Sequence, residues 1–212
     1  MMGTVASMGN KVTTDSLRKP LKEGDRIAFS YFFPCAKCYN CIRGEFGACK
    51  FRLGRKPLEE WPVCNGGFAQ YYYLRSPHYI FKLPDEISNA SAAPINCALA
   101  QVYDALHLGG VMMGDNIVIQ GAGGLGINAT AIANELGASK IIVIDGQKPR
   151  LDLAVQCGAT DIIDMNEYDT PQSRIDRVME LTNGIGADKV VEVVGFPQVV
   201  EEGVDMVRMR GK

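Results

Sequence analysis

A chain of 212 residues, 47% of them hydrophobic, is long enough for one large domain or two modest ones with real cores. Its formal charge of −2 and pI near 5.7 offer no electrostatic footprint for nucleic acid, and no run of like charge forms a tail. The first ten residues lack a basic and an apolar signal region and no stretch approaches a membrane span, so a cytoplasmic protein without membrane or nucleic-acid partners is expected. Seven cysteines, an odd number without a signal peptide, point to reduced thiols and metal ligation rather than a disulfide framework.

Residues 1 to about 98 are rich in turns and short strands, whereas residues 99 to 212 alternate strand and helix, which predicts two domains. In the first, Thr4 to Ser7, Arg26 to Ser30, Phe68 to Leu74 and Tyr79 to Lys82 read as strands between Gly, Pro and charged turns. From Ser88 a helical pattern runs through Ala92, Cys97 and Ala98 toward Leu106 and Leu108. Ile117 to Gln120 is then a buried strand, Ile127 to Leu136 a helix, and Lys140 to Asp145 the next strand. A helix near Arg150 to Cys157, a strand at Asp161 to Asp164 and a helix over Asp169 to Thr182 follow. A strand at Lys189 to Val194 and a helix from Gln198 to Met209 complete the order. Strands joined by intervening helices predict a parallel, doubly wound sheet.

The strand at Ile117 feeds Gly121-Ala-Gly-Gly-Leu-Gly126, a G-x-G-x-x-G pattern in the context the dinucleotide fingerprint requires, after a strand and before a helix. Gly121 permits the sharp bend, Gly123 lets a pyrophosphate approach the backbone, and Gly126 lets helix and strand pack closely. Gly124 and Leu125 complete the cofactor-binding turn ahead of the helix, whose free N–H groups and dipole favour a phosphate. Asp145 closes the second strand 19 positions after Gly126, where a carboxylate accepts hydrogen bonds from the ribose hydroxyls and repels a 2′-phosphate, favouring NAD over NADP. Arg150, five residues on, is either an attraction for such a phosphate or a solvated helix residue.

Cys35, Cys38, Cys41 and Cys49 follow C-x2-C-x2-C-x7-C. Four thiolates at this spacing suit one tetrahedral Zn²⁺ with no open position, a structural site, although iron–sulfur clusters use similar spacings. Lys37, Arg43 and Lys50 can offset the negative charge of such a centre. Cys64 and Cys157 carry no motif. Trp61 is expected to make a hydrophobic contact where the chain leaves the cysteine lobe. Glu192 stands out as an acid in an apolar strand, toward the sheet's C-terminal end where ligands gather.

The order of these features, a four-cysteine lobe after Gly24-Asp-Arg26, then Gly66-Gly-Phe-Ala-Gln-Tyr71, Pro94-Ile-Asn-Cys97 and Gly121-Ala-Gly-Gly-Leu-Gly126, resembles the zinc-dependent medium-chain alcohol dehydrogenases. That resemblance implies an α/β chain: a partial GroES-like, β-rich domain with a structural zinc lobe over 1–98, then a partial Rossmann dinucleotide-binding domain with an incomplete doubly wound parallel sheet over 99–212. It implies NAD-dependent hydride transfer with a secondary alcohol or polyol, or the corresponding ketone, as small-molecule substrate, and a homo-oligomer formed through the Rossmann domain. It also implies a second, catalytic zinc, for which Cys97 matches one ligand.

The family's first catalytic cysteine and its Gly-His-Glu motif would fall before Met1, and only His78 and His107 are present, in other contexts. Two further strands would follow Lys212, so the strand at Lys189 is expected to form a bare apolar edge. The chain therefore reads as the middle of a dehydrogenase, either an incomplete record or a degenerate, non-catalytic nucleotide-binding remnant.

Overall fold

The computed structural model describes residues 1–30, 33–51, 67–75 and 78–212, so Trp61, Cys64 and Gly66 lie outside the described residues. The described residues divide into two compact units, Met1–Cys97 and Ala98–Lys212.

The first unit is built on a three-stranded antiparallel sheet in the order β1 (Met2–Thr4), β2 (Arg26–Phe29), β3 (Ile80–Lys82). The central strand is buried on both faces. Ile27 and Phe29 pack with Val5 and Leu21, while Ala28, pointing the other way, packs with Leu83 and Ala92. Asp15 ties a loop to this sheet, its carboxylate accepting from the N–H groups of Leu17, Lys19 and Lys82 at 2.8 to 3.0 Å. A short helix α1 (Tyr39–Ile42) and a 3₁₀ turn (Phe46–Ala48) lie between β2 and β3, and α2 (Asn89–Ala92) follows β3.

The strand expected at Thr4 to Ser7 lies earlier, because the pairing that starts at Met2 opposite Ala28 ends at Thr4 opposite Arg26, and Val5 enters a turn with Asp25. The strand expected over Phe68 to Leu74 is not formed. Tyr72 and Leu74 do turn toward the core while Tyr71 and Tyr73 are exposed, so the alternation is real. Alternation alone makes no strand, however, and among the described residues this segment belongs to neither sheet. The continuous helix expected from Ser88 is broken. Pro94, which lacks an N–H, separates α2 from a π-helical turn (Ile95–Leu99) that leads into α3 (Ala100–Gly109).

The second unit carries an all-parallel sheet in the order β6 (Asp161–Asp164), β5 (Lys140–Asp145), β4 (Asn116–Gln120), β7 (Lys189–Glu192). The helices α4 (Gly124–Glu135), α5 (Lys148–Gln156), α6 (Pro171–Leu181) and α7 (Pro197–Met206) connect and cover it. Ile117, Val118, Ile119, Ile142 and Val143 are fully buried, split between two cores on opposite faces of the sheet, and each contributes about 2 kcal/mol. The chain steps outward from β4 to β5 and β6, then returns to β7 on the other side of β4. That reversal places a crevice at the C-terminal ends of β4 and β7.

β5 and β6 have the bounds read from the sequence, whereas α4 and α5 start two or three residues sooner. α7 stops at Met206 because Val207 turns extended and bridges to Ala187. The outer edge of β7 is not bare. Val190 donates to the Lys212 carbonyl, and Lys212 donates back to Asp188. No helix of the described residues is long and apolar enough to cross a membrane.

Across the outer layer, Arg174 of α6 and Glu202 of α7 form a two-pronged ion pair, both bonds 2.7 Å, with 5% and 6% of each residue exposed. Glu202→Ala would leave a guanidinium buried without its counter-charge, and urea unfolding should show a loss of about 3 kcal/mol. In the first unit, burial works to raise the Asp15 pKa, but the backbone donors of Lys82, Lys19 and Leu17 outweigh it and hold the carboxyl below the ordinary range. The stability this supplies is complete above about pH 4 and is lost as pH falls through the lower folded value. Melting temperature should therefore fall with acidification in that window, with a smaller slope in Asp15→Asn.

Candidate functional site

At the end of β4 the chain turns sharply at Gly121, whose φ of +98° lies in the left-handed region that favours glycine. A Cβ on Gly126 would stand 1.8 Å from the Gly121 carbonyl oxygen, so the first turn of α4 rests directly on the bend. Around Gly123 and Gly124, by contrast, an added Cβ would meet nothing within 4 Å. Gly123 is the N-cap of α4 and supplies no side-chain acceptor, whereas Thr170 at the start of α6 forms a full capping box with Ser173. The donors of the first turn of α4, at Gly124, Leu125 and Gly126, are thus left without a side-chain cap beside open space, the arrangement that receives an anion.

Asp145, 8% exposed, ends β5 beside this turn. Its Oδ2 accepts from the Ala122 N–H and its Oδ1 from the Gln147 N–H, both at 2.8 Å. A carboxylate has about four acceptor positions, so each oxygen retains capacity for another donor. Arg150 stands 3.8 Å from Oδ2 with an exposed guanidinium. Asn166 donates to the Gly146 carbonyl and to Asp164, bracing the loop after β5. The sequence pattern marked Asp145 and Arg150. Nothing in the sequence spacing signals Asn166 or the carboxylate bond to Ala122, because both contacts join loops that follow different strands or lie far apart in sequence.

The cysteine lobe is the second cluster. Ala36 at φ +60° bends the chain so that backbone N–H groups face the Cys35 sulfur. The Sγ atoms of Cys35, Cys38, Cys41 and Cys49 all lie within 4.8 Å of one another, with Cys35 to Cys41 and Cys38 to Cys49 each at 3.9 Å. A tetrahedron with metal–sulfur bonds of about 2.3 Å has edges of about 3.8 Å, so the four sulfurs stand close to a tetrahedral metal cage. The Lys37 N–H draws the Cys35 thiol down to about 6, and burial pushes Cys41 up to about 12.

Cys97 sits exposed in the π-helical turn and joins no group of three or more ligating side chains among the described residues. His78 packs against Phe29 and Phe33, ring centroids 6.0 and 4.7 Å away, and burial lowers its pKa. His107 stacks on Tyr103 along α3. Neither belongs to a ligating group among the described residues. Glu192 lies at the crevice, opposite Gln120 in the β4–β7 register. Its Oε1 accepts from the N–H groups of Val194 and Gly195 at 2.6 Å, which is why β7 ends there rather than at Val194.

The profile of the family described as alcohol dehydrogenase GroES-like domain matches residues 1–85, and that of the zinc-binding dehydrogenases matches residues 124–212. A probable D-xylulose reductase A of Neosartorya fischeri is 32% identical over 99% of this chain and 55% of its own length. A 5-exo-hydroxycamphor dehydrogenase of Pseudomonas putida is 33% identical over 100% of this chain and 58% of its own. An L-threonine 3-dehydrogenase of Bacillus licheniformis is 33% identical over 99% and 56%. Among solved structures, an alcohol dehydrogenase from Thermotoga maritima superposes with a TM-score of 0.91 at 30% identity, covering 99% of this chain and 58% of that one. The chain thus spans little more than half the length of the relatives it matches. With both profiles in sequence order on a GroES-like unit and a Rossmann-type unit, the chain belongs to the zinc-dependent medium-chain alcohol dehydrogenase family.

Proposed function

We propose that this protein binds NAD at the glycine turn and takes part in hydride transfer between the dinucleotide and a secondary alcohol or polyol, with a structural zinc in the cysteine lobe. The observation that carries the reading is the uncapped first turn of α4 beside open space at Gly123 and Gly124, with Asp145 adjacent. In this reading Gly121, Gly123, Gly124, Leu125 and Gly126 hold the pyrophosphate, and Asp145 accepts from the adenosine ribose hydroxyls. Arg150, drawn toward Asp145, screens that carboxylate only in part, so NAD is preferred to NADP. The names of the relatives, a xylulose reductase, a hydroxycamphor dehydrogenase and a threonine 3-dehydrogenase, support alcohol–ketone interconversion as the reaction class. In that class the nicotinamide accepts or returns the hydride.

The four sulfurs fit a tetrahedral zinc with no open position, so its contribution is to folding. Cys97 is proposed as one ligand of a separate catalytic zinc. One thiol does not make such a site, which needs three protein ligands, and no step is routed through it.

Binding of NADH and NADPH, followed by fluorescence titration, tests the reading: NADH should bind more tightly, and failure to bind either would sink it. Gly123→Ala separates binding from folding. Its φ of −72° and the open space admit a methyl, so the melting temperature should hold while NADH affinity drops about tenfold or more. Gly126→Ala, driven into the Gly121 carbonyl, should lower stability instead, by about 1 to 3 kcal/mol. Chelation should loosen residues 35–49, seen as faster amide exchange there, with little effect at β4 to β7. Filling the cage requires Cys41, held protonated by burial, to give up its proton. Zinc affinity should therefore weaken as pH is lowered, and uptake should release protons.

A further inference from the structure

Glu192 has no role in the reading above, and its geometry supplies one. It lies opposite Gln120 in the parallel register of β4 and β7, so both side chains leave the sheet on the same face, at its C-terminal end. Immediately beyond it the chain crosses the mouth of the glycine turn. A Cβ on Gly121 would stand 2.9 Å from Val194 Cγ2 and 3.5 Å from the Val193 carbonyl, so Val193 and Val194 form the wall against which the Gly121 bend rests. What holds that wall is the Glu192 carboxylate, through the N–H groups of Val194 and Gly195. Gly195, at φ +90° and with open space around it, has no side chain of its own to restrain it. On the far side of the crossover, Gln120 Nε2 donates to the Val199 carbonyl in the first turns of α7, and Gly203 packs so closely that a Cβ would fall 2.7 Å from Gln120 Oε1. The crossover is therefore pinned at both ends, by the two residues that face each other across the last β4–β7 pair.

We propose that Glu192 is a positioning residue for the dinucleotide: by holding the β7–α7 crossover it seats Val194 on Gly121 and keeps the glycine turn in its binding shape. The inference rests on the dinucleotide reading above. Removing the carboxylate frees two amides and a glycine, lets the wall move away from Gly121, and makes ligand binding bear the cost of restoring it. A carboxamide keeps an oxygen acceptor at the same reach and preserves the clamp.

The test compares the full chain with Glu192→Ala, Glu192→Gln and Val194→Ala by NADH titration, well below each melting temperature, together with amide exchange at Val194 and Gly195. Glu192→Ala should weaken NADH about tenfold, and Glu192→Gln should stay within roughly threefold of the parent. Val194→Ala should weaken NADH with the Gly195 amide still protected, and Glu192→Ala should speed exchange at both amides. A purely structural role would lower melting temperature and leave affinity unchanged. NADH affinity in Glu192→Ala equal to the parent's, or equal loss in Glu192→Gln and Glu192→Ala, overturns the inference alone. A parent chain that binds neither NADH nor NADPH overturns the dinucleotide reading and the inference with it.

Discussion

The carbonyl of Gly121 and the α-carbon of Gly126 approach so closely that no side chain fits between them. That constraint sets the direction in which α4 leaves β4, and with it the line along which the helix dipole and its uncapped donors point. Everything around the crevice is arranged on that line. β5 brings a carboxylate to one side of the bend, β7 brings a valine wall to the other, and the order of the strands opens the space between.

The acids at the crevice are used first on the backbone. Asp145 and Glu192 each end a strand, and each spends lone pairs on loop N–H groups, Asp145 on Ala122 after β4 and Gln147 after β5, Glu192 on Val194 and Gly195 after β7. Loop amides at the end of a parallel sheet have no ladder partner, and where the bond is buried, as at Ala122, an unpaired amide is expensive. A carboxylate answers two of them at once and still has acceptor capacity left for a ligand. The buried pair of Arg174 and Glu202 differs, because its groups are turned on each other and on the Tyr168 carbonyl with only 5% and 6% of each residue exposed.

Much of this was legible from the sequence. The apolar run of β5 is legible with its observed bounds because a strand buried on both faces is a near-continuous hydrophobic segment between polar turns, whereas the edge strand β6, with Ile162 exposed, is bounded by its two aspartates. The four cysteines declared themselves because metal geometry demands a fixed spacing. What stayed hidden depended on partners distant in sequence. The tyrosine-rich segment after Gly67 alternates as a strand should, yet pairing decides whether alternation becomes a strand. Glu192 looked misplaced in an apolar run because its partners lie after the strand's true end, and the helix over Ser88 to Leu108 was overextended across Pro94.

The placement of β7 also bears on how the second unit assembles. β4 pairs with β5 after one helix, but its other neighbour arrives only after two more strand and helix units, and the Asn116 amide meets the Asp188 carboxylate across 72 residues. Contacts at such separation repay their loop-closure entropy late, so local β–α–β pieces form ahead of the full sheet. The crevice is bounded by β7 and the chain beyond it, so it is completed by this long-range closure. A chain emerging from the ribosome thus has the glycine turn on hand well before it has the wall that shapes it.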